Sequence, residues 1–317
     1  MPVHRRLPGP PRRVRRSAVS DVELLVGRDV VLGGPRAMPV TRTLPHRDRR
    51  MVGAWCFVDR YGPENIAGRT GMVVPPHPHT GLQTVSWLLA GDVLHQDSLG
   101  SQQLIRPGQL NLMTAGRGIA HAEVSPAKHE PVLDGVQLWV ALPAADRWTG
   151  PDFGHHADLP VLTYPGGSVT VILGELDGAV SDARTFTPIV GAELAVRTGL
   201  DLPLRPDFEY AVLVLSGAAT IDGLELTAGP LLYLGTGRDR LTVAGPARVL
   251  LLGGEPFDEQ LVMWWNFVAG DHEEIVQARA DWAAADERFG VVYGYPGDPL
   301  PAPALPGTRL MPRGRRR

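Results

Sequence analysis

Apolar residues along the chain fall in short runs, each closed by glycine, proline or an Asp-Gly pair, a pattern of strands and turns. Thr84–Leu89 ends at Ala90-Gly91-Asp92, and Tyr210–Leu215 ends at Ser216-Gly217. Gly135–Leu142, Val169–Leu173 and Arg248–Leu252 behave alike. Runs of this length and spacing predict an all-β chain of sandwiches or barrels, not parallel α/β units. Val85–Gly91 and Ala211–Gly217 each read as a strand running into a glycine turn and then another apolar strand, which suggests two related barrels in tandem. One helix is expected over 271–289: Asp271 can cap it, Glu274 follows three residues on, and Ile275, Ala278, Trp282, Ala285 and Phe289 recur at helical spacing. Trp264, Trp265 and Phe267, just ahead of it, read as packing on a barrel wall.

The expected division is a disordered basic tail over 1–19, a first barrel over 20–149, a linker over 150–164, a second barrel with the helix over 165–295, and a disordered Pro/Arg tail over 296–317. Charge sharpens this division. Residues 1–17 carry six Arg and no acid and 310–317 carry four, so the intervening body holds -13 against a whole-chain net of -3. An acidic body argues against a nucleic-acid-binding core, and no specific nucleic-acid partner is expected. Removing 1–17 and 310–317 is expected to leave folding and metal binding unchanged. The sole cysteine, Cys56, excludes an internal disulfide framework and any Cys-rich metal site, and fits a reducing cytoplasm. Apolar runs such as Val249–Leu252 fall far short of the roughly 20 residues needed to cross a bilayer.

The chemistry concentrates in His77-Pro78-His79 and, 42 residues after His79, His121-Ala122-Glu123. Residues at i and i+2 of a strand face the same side, so each motif is a pincer. Two pincers from neighbouring strands would supply three imidazoles and a carboxylate, a set suited to Fe(II), Mn(II), Ni(II), Cu(II) or Zn(II). Residues 157–271 contain no histidine, so the second barrel is expected to be degenerate and the chain to hold one metal. His95 and Asp97, in the Gly91–Gly100 turn, and Arg117 are candidates for groups beside the site, with a turn hydrogen bond for the first two and a salt bridge for the third as their ordinary alternatives. His155-His156 is read as exposed in the linker, and Asp59 as securing the loop at Tyr61-Gly62-Pro63. No Ser-His-Asp arrangement, phosphate loop or dinucleotide fingerprint is present.

The stretches His77–Gly81, Gly91–Gly100 and Met113–Glu123 (MTAGRGIAHAE) resemble the pirin family of the cupin superfamily. Residues 36–63 resemble the family's opening, and Gly253–Phe257 with the helix its close, so the match spans about residues 20–295. The resemblance implies a bicupin of two jelly-roll-like barrels with one mononuclear metal, usually iron, on His77, His79, His121 and Glu123. It implies quercetin 2,3-dioxygenase-like activity on a small aromatic anionic substrate, with Glu123 as candidate base. The alternative it carries is a metal-dependent coregulator that binds a protein partner with little turnover. Gln83 stands where the general cupin pattern has a glutamate, and is expected to orient a ligand or water as a neutral amide.

Overall fold

The computed structural model describes residues 22–32 and 38–316; the basic tail expected over 1–19 lies outside the described residues. The first half contributes β1 (Glu23–Leu25), β2 (Arg28–Leu32), β3 (Met38–Leu44), β4 (Trp55–Asn65), β5 (Val73–His79), β6 (Leu82–Ala90), β7 (Val93–Asp97), β8 (Gln102–Ile105), β9 (Leu110–Thr114), β10 (Ile119–Val124), β11 (Val132–Ala141) and β12 (Asp152–His156). The second contributes β13 (Val161–Tyr164), β14 (Gly167–Leu176), β15 (Ala179–Val180), β16 (Ile189–Val196), β17 (Gly199–Pro203), β18 (Glu209–Ile221), β19 (Leu224–Thr227), β20 (Leu231–Gly235), β21 (Arg240–Ala244), β22 (Ala247–Gly254), β23 (Val262–Trp264) and β24 (Phe267–Ala269), then α1 (His272–Ala283).

The all-β expectation holds, as two cupin-like β units. In the first, the sheet β12-β9-β6-β11-β4-β3-β2 packs on the sheet β5-β10-β7-β8. Val40, Tyr61, Leu88 and Leu133 of one meet Val74, Val93 and Ile105 of the other. The second unit is built on β1-β20-β18-β22-β16-β14-β13 with shorter strands branching from it, around a core of Val171, Leu194, Val212 and Leu251. Between the units lies a further core in which Trp55, Val85 and Leu138 meet Leu173, Leu213 and Leu250. The indole of Trp55 donates to the carbonyls of Val190 (3.0 Å) and Gly253 (3.2 Å), and that of Trp87 to Glu193 (2.6 Å). Strand β6 is therefore covered on both faces, which is why its sequence reads as a continuous apolar run instead of an alternating one.

Several boundaries differ from the sequence reading. Strand β18 does not turn at Ser216-Gly217; it runs on to Ile221 through an irregularity between Val214 and Ser216, with Gly217 at φ +77°. The expected linker is divided between the sheets, β12 pairing with β9 and β13 with β14. Strand β1 pairs with β20, in the second unit. The helix is shorter than 271–289. Asp271 caps it by accepting from the Glu274 N–H (2.9 Å), but Ala285 turns left-handed and Phe289 O instead accepts from Ala120 of β10. The segment after 296, expected to be disordered, is largely exposed but anchored at intervals. Leu300 N–H donates to Pro76 O (2.8 Å), the Trp282 indole to Leu300 O (2.9 Å), Arg313 exchanges two backbone bonds with Leu261, and Arg315 reaches Glu209. Its prolines cannot propagate a helix or a ladder, but nothing prevents them from lying as a strap whose few amides find fixed acceptors.

Candidate metal centre

Strands β5 and β10 are antiparallel neighbours with His121 opposite His77, and β10 pairs on its other edge with β7, placing His121 opposite Asp97 and Glu123 opposite His95. Residues paired across an antiparallel ladder face the same side, as do i and i+2. His77, His79, His95, Asp97, His121 and Glu123 therefore share one face, turned into the barrel. At the end of β5, Gly81 (φ +69°) makes the turn into β6, and a Cβ there would lie 2.1 Å from Val268 O, so only glycine fits.

The nearest ligating atoms of His77, His79 and His121 lie within 4.8 Å of one another, and all three side chains are buried. His77 Nδ1 faces Pro75 O at 2.9 Å and His79 Nδ1 faces Asn266 O at 3.1 Å. A carbonyl can only accept, so both rings carry their proton on Nδ1 and present a bare Nε2. His79 Nε2 and His121 Nε2 are 3.1 Å apart. Burial holds all three imidazoles neutral, His77 down to about 4 and His79 and His121 well below the ordinary histidine range. Neutral imidazoles converging with bare nitrogens on His77 and His79 are a donor set that fits a divalent cation.

Glu123 groups with His95 and His121 within the same 4.8 Å and lines the cavity shared by the three imidazoles. Burial raises its pKa, against which the contacts with His95 and Ser86 work. Ser86 Oγ lies 3.1 Å from Glu123 Oε1 and 2.9 Å from Gln137 Oε1. A hydroxyl has one proton, so Ser86 can donate to an ionised Glu123 while Gln137 turns its NH2 toward Ser86. His95 stacks on Phe153 (4.3 Å, 11°) and bonds Asp97 (3.0 Å). Burial pushes the Asp97 carboxyl up, but hydrogen bonds from His95 and Ser101 outweigh it and hold the group below its ordinary value.

The cavity has a volume of about 310 Å³ and is lined by His77, His79, His121 and Glu123 together with Arg42, Phe57, Trp139, Trp265, Asn266 and Leu300. Arg42 lies over Phe57 (4.3 Å), Phe57 stacks on Trp139 (3.9 Å, 11°), and Trp139 meets His79 edge-on (5.1 Å, 77°). Asp59 holds Arg42 through two 2.7 Å bonds; its role is this ion pair across β3 and β4, since Tyr61-Gly62-Pro63 is part of a strand and not a loop.

Two residues expected beside the ligands are elsewhere. Gln83 turns the other way, its amide donating to Thr114 Oγ1 and Arg184 O (both 3.0 Å), because the Gly81 turn changes which face of β6 is inward. Arg117 is exposed and lies in a separate crevice with Thr80, Gly116 and Arg147, its carbonyl accepting from Arg288. His95 does lie against His121. His155 is half-buried and bonds Asn111 (2.7 Å) as part of β12, instead of hanging in a linker. Trp265, read as wall packing, lines the cavity from a left-handed turn (φ 53°). Nothing in the sequence near residue 266 signals that its carbonyl would hold His79.

The pirin family profile matches residues 37–140, and the pirin C-terminal cupin domain profile matches residues 189–290. A Pseudomonas aeruginosa protein named as a candidate quercetin 2,3-dioxygenase, PA1205, is 44% identical over 289 residues, covering 90% of this chain and 91% of its own. A crystal structure of quercetin 2,3-dioxygenase from Acinetobacter baumannii superposes with a TM-score of 0.87 at 42% identity, over 92% of this chain and 97% of that one. The Escherichia coli pirin YhhW, solved in complex with nickel(II), shares the fold at 18% identity (TM-score 0.57, 75% and 100% coverage).

Proposed function

The chain belongs to the pirin family, and on that footing we propose that it is a mononuclear metalloenzyme that oxygenates a planar, anionic, chelating aromatic of the flavonol type. The observation that carries this reading is the opening of three neutral, buried imidazoles into an aromatic-lined cavity of about 310 Å³. That volume lies at the small end of the range for ligand sites. His77, His79, His121 and Glu123 would hold one divalent metal, with Fe(II) the first candidate and Mn, Ni, Cu or Zn as alternatives. Such a metal supplies Lewis acidity and a place for dioxygen.

The protein's own residues supply the rest. Trp265, and Trp139 with one face already taken by Phe57, line the space a flat guest would enter with its oxygens toward the imidazoles. Arg42 favours a guest of negative charge, though Asp59 moderates its field. Glu123, steadied by Ser86, is placed to accept the proton of an enolic hydroxyl. Leu300 and Trp265 narrow the cavity. Metal analysis of the purified protein together with an oxygen-electrode assay over a flavonol panel tests the proposal. Chelator-sensitive oxygen uptake is the expected result. Stoichiometric metal with no uptake on any flavonol would sink the enzymatic reading and leave a metal-dependent module that acts by binding a protein partner.

A further inference from the structure

His121 differs from the other two imidazoles in how its ring is held. His77 and His79 each give their Nδ1 proton to a backbone carbonyl, which fixes the tautomer outright. His121 Nδ1 instead faces another imidazole nitrogen, His95 Nδ1, at 3.4 Å. An imidazole nitrogen can donate or accept, so this contact alone decides nothing. The decision comes from one residue further out. His95 Nε2 lies 3.0 Å from Asp97 Oδ2, while Asp97 Oδ1 accepts from the N–H of Leu99 (2.9 Å) and of Ser101 (3.0 Å). A carboxylate committed to two backbone donors acts as an acceptor, so the His95 proton must sit on Nε2. With His95 neutral, its Nδ1 is then a lone pair, His121 Nδ1 bears the proton that meets it, and His121 Nε2 is left bare toward His79.

We infer that His95 and Asp97 are a positioning pair, in which the carboxylate sets the tautomer of His121 through an intervening imidazole and so completes the three-nitrogen face. The inference rests on the reading that His77, His79 and His121 hold a metal. The pair is built to stay in place: both side chains are buried, Phe153 stacks on the His95 ring at 4.3 Å and 11°, and Asp97 sits in the turn closed by Gly100 N–H to Asp97 O. Partners of this kind that orient a ligating imidazole typically influence metal affinity by about 10- to 100-fold. His95 also comes within 4.8 Å of His121 and Glu123, as a ligand would. With Nε2 given to Asp97, however, its one free nitrogen already faces His121.

The test uses the full chain with Zn(II) as a diamagnetic probe. In the wild type, 15N-histidine NMR should find His95 protonated on Nε2 and free of zinc, and His121 protonated on Nδ1 with zinc on Nε2. Asp97→Asn keeps the shape and the acceptor for Leu99 and Ser101, but presents an NH2 to His95 and reverses both tautomers. Zinc affinity should fall about 10- to 100-fold, with His95 now protonated on Nδ1. A wild-type His95 protonated on Nδ1, or carrying zinc itself, overturns the inference without any variant. So does an Asp97→Asn protein of unchanged affinity. No zinc uptake by the wild type would overturn the metal reading of the cluster and this inference with it.

Discussion

The guanidinium of Arg315 lies 3.0 Å from Glu209, a carboxylate with no exposed side-chain surface. Glu209 also accepts from the Tyr233 hydroxyl (2.8 Å) and the Gly53 N–H (2.6 Å). Arg49, fully buried over the Tyr233 ring, stands behind it at 3.9 Å and pairs with Glu23 of β1. The last residues thus close an ion cluster at the junction of the two units. These contacts argue against the expectation that residues 310–317 are dispensable for folding. Arg315→Ala should lower unfolding stability by about 1–3 kcal/mol, because it removes a partner from a buried charge. An unchanged denaturation midpoint would show that Arg49 alone suffices.

His121→Ala should cut metal content to a small fraction of the wild type, an affinity loss of about 100-fold or more. Elemental analysis after removal of loosely bound ions reads this directly. The wild type should carry one equivalent and not two, since residues 157–271 offer no histidine. Full occupancy in the variant would remove His121 from the ligand set.

The metal-free protein should lose stability as pH falls. The pKa of His77 is about 4 in the folded chain, against about 6.5 unfolded. Between those values the unfolded state binds more protons, so stability declines on acidification through the window. The His77 contribution alone is roughly 3 kcal/mol by pH 4. His79 and His121, lowered for the same reason of burial, act in the same direction. Urea midpoints of chelator-treated protein from pH 7 to about pH 4.5 would test this; a flat profile contradicts it.

Cys56 should be inert to thiol reagents until the protein unfolds, and then react once per chain. Burial pushes its pKa to about 12, and its thiol donates to Trp139 O (Sγ to O 3.6 Å) in the core between the units. Rapid labelling of the native protein would mean that this core opens readily.

The pincers were legible because strand alternation is local: two residues apart suffices to put His77 with His79 and His121 with Glu123. Their convergence needed one further step, that β5 and β10 be neighbours, and the shared family motif suggested it. Gln83 was placed beside the metal from the general cupin pattern, but the turn at Thr80-Gly81 sets it on another face of β6, where it bonds Thr114 and Arg184. Other parts of the site had no local signal. The Asn266 carbonyl is a backbone atom, and any residue type at 266 other than a disruptive one would offer it. Leu300 reaches the cavity only because distant amides hold its segment against Pro76 and Trp282. Arg42 and Asp59 carried a weak signal, as opposite charges in strands otherwise rich in apolar residues, and only the β3–β4 register makes them partners.

Leu300 also sets an order of events. It follows both units in the chain, yet it helps to wall the cavity of the first. While the polypeptide is being made, β5 and β10 can pair and bring their imidazoles together before this piece of wall exists. A metal ion arriving at that stage meets a wider mouth than one approaching the finished protein. An ion entering during synthesis would pass through an open face, and one entering the finished protein would pass a docked strap.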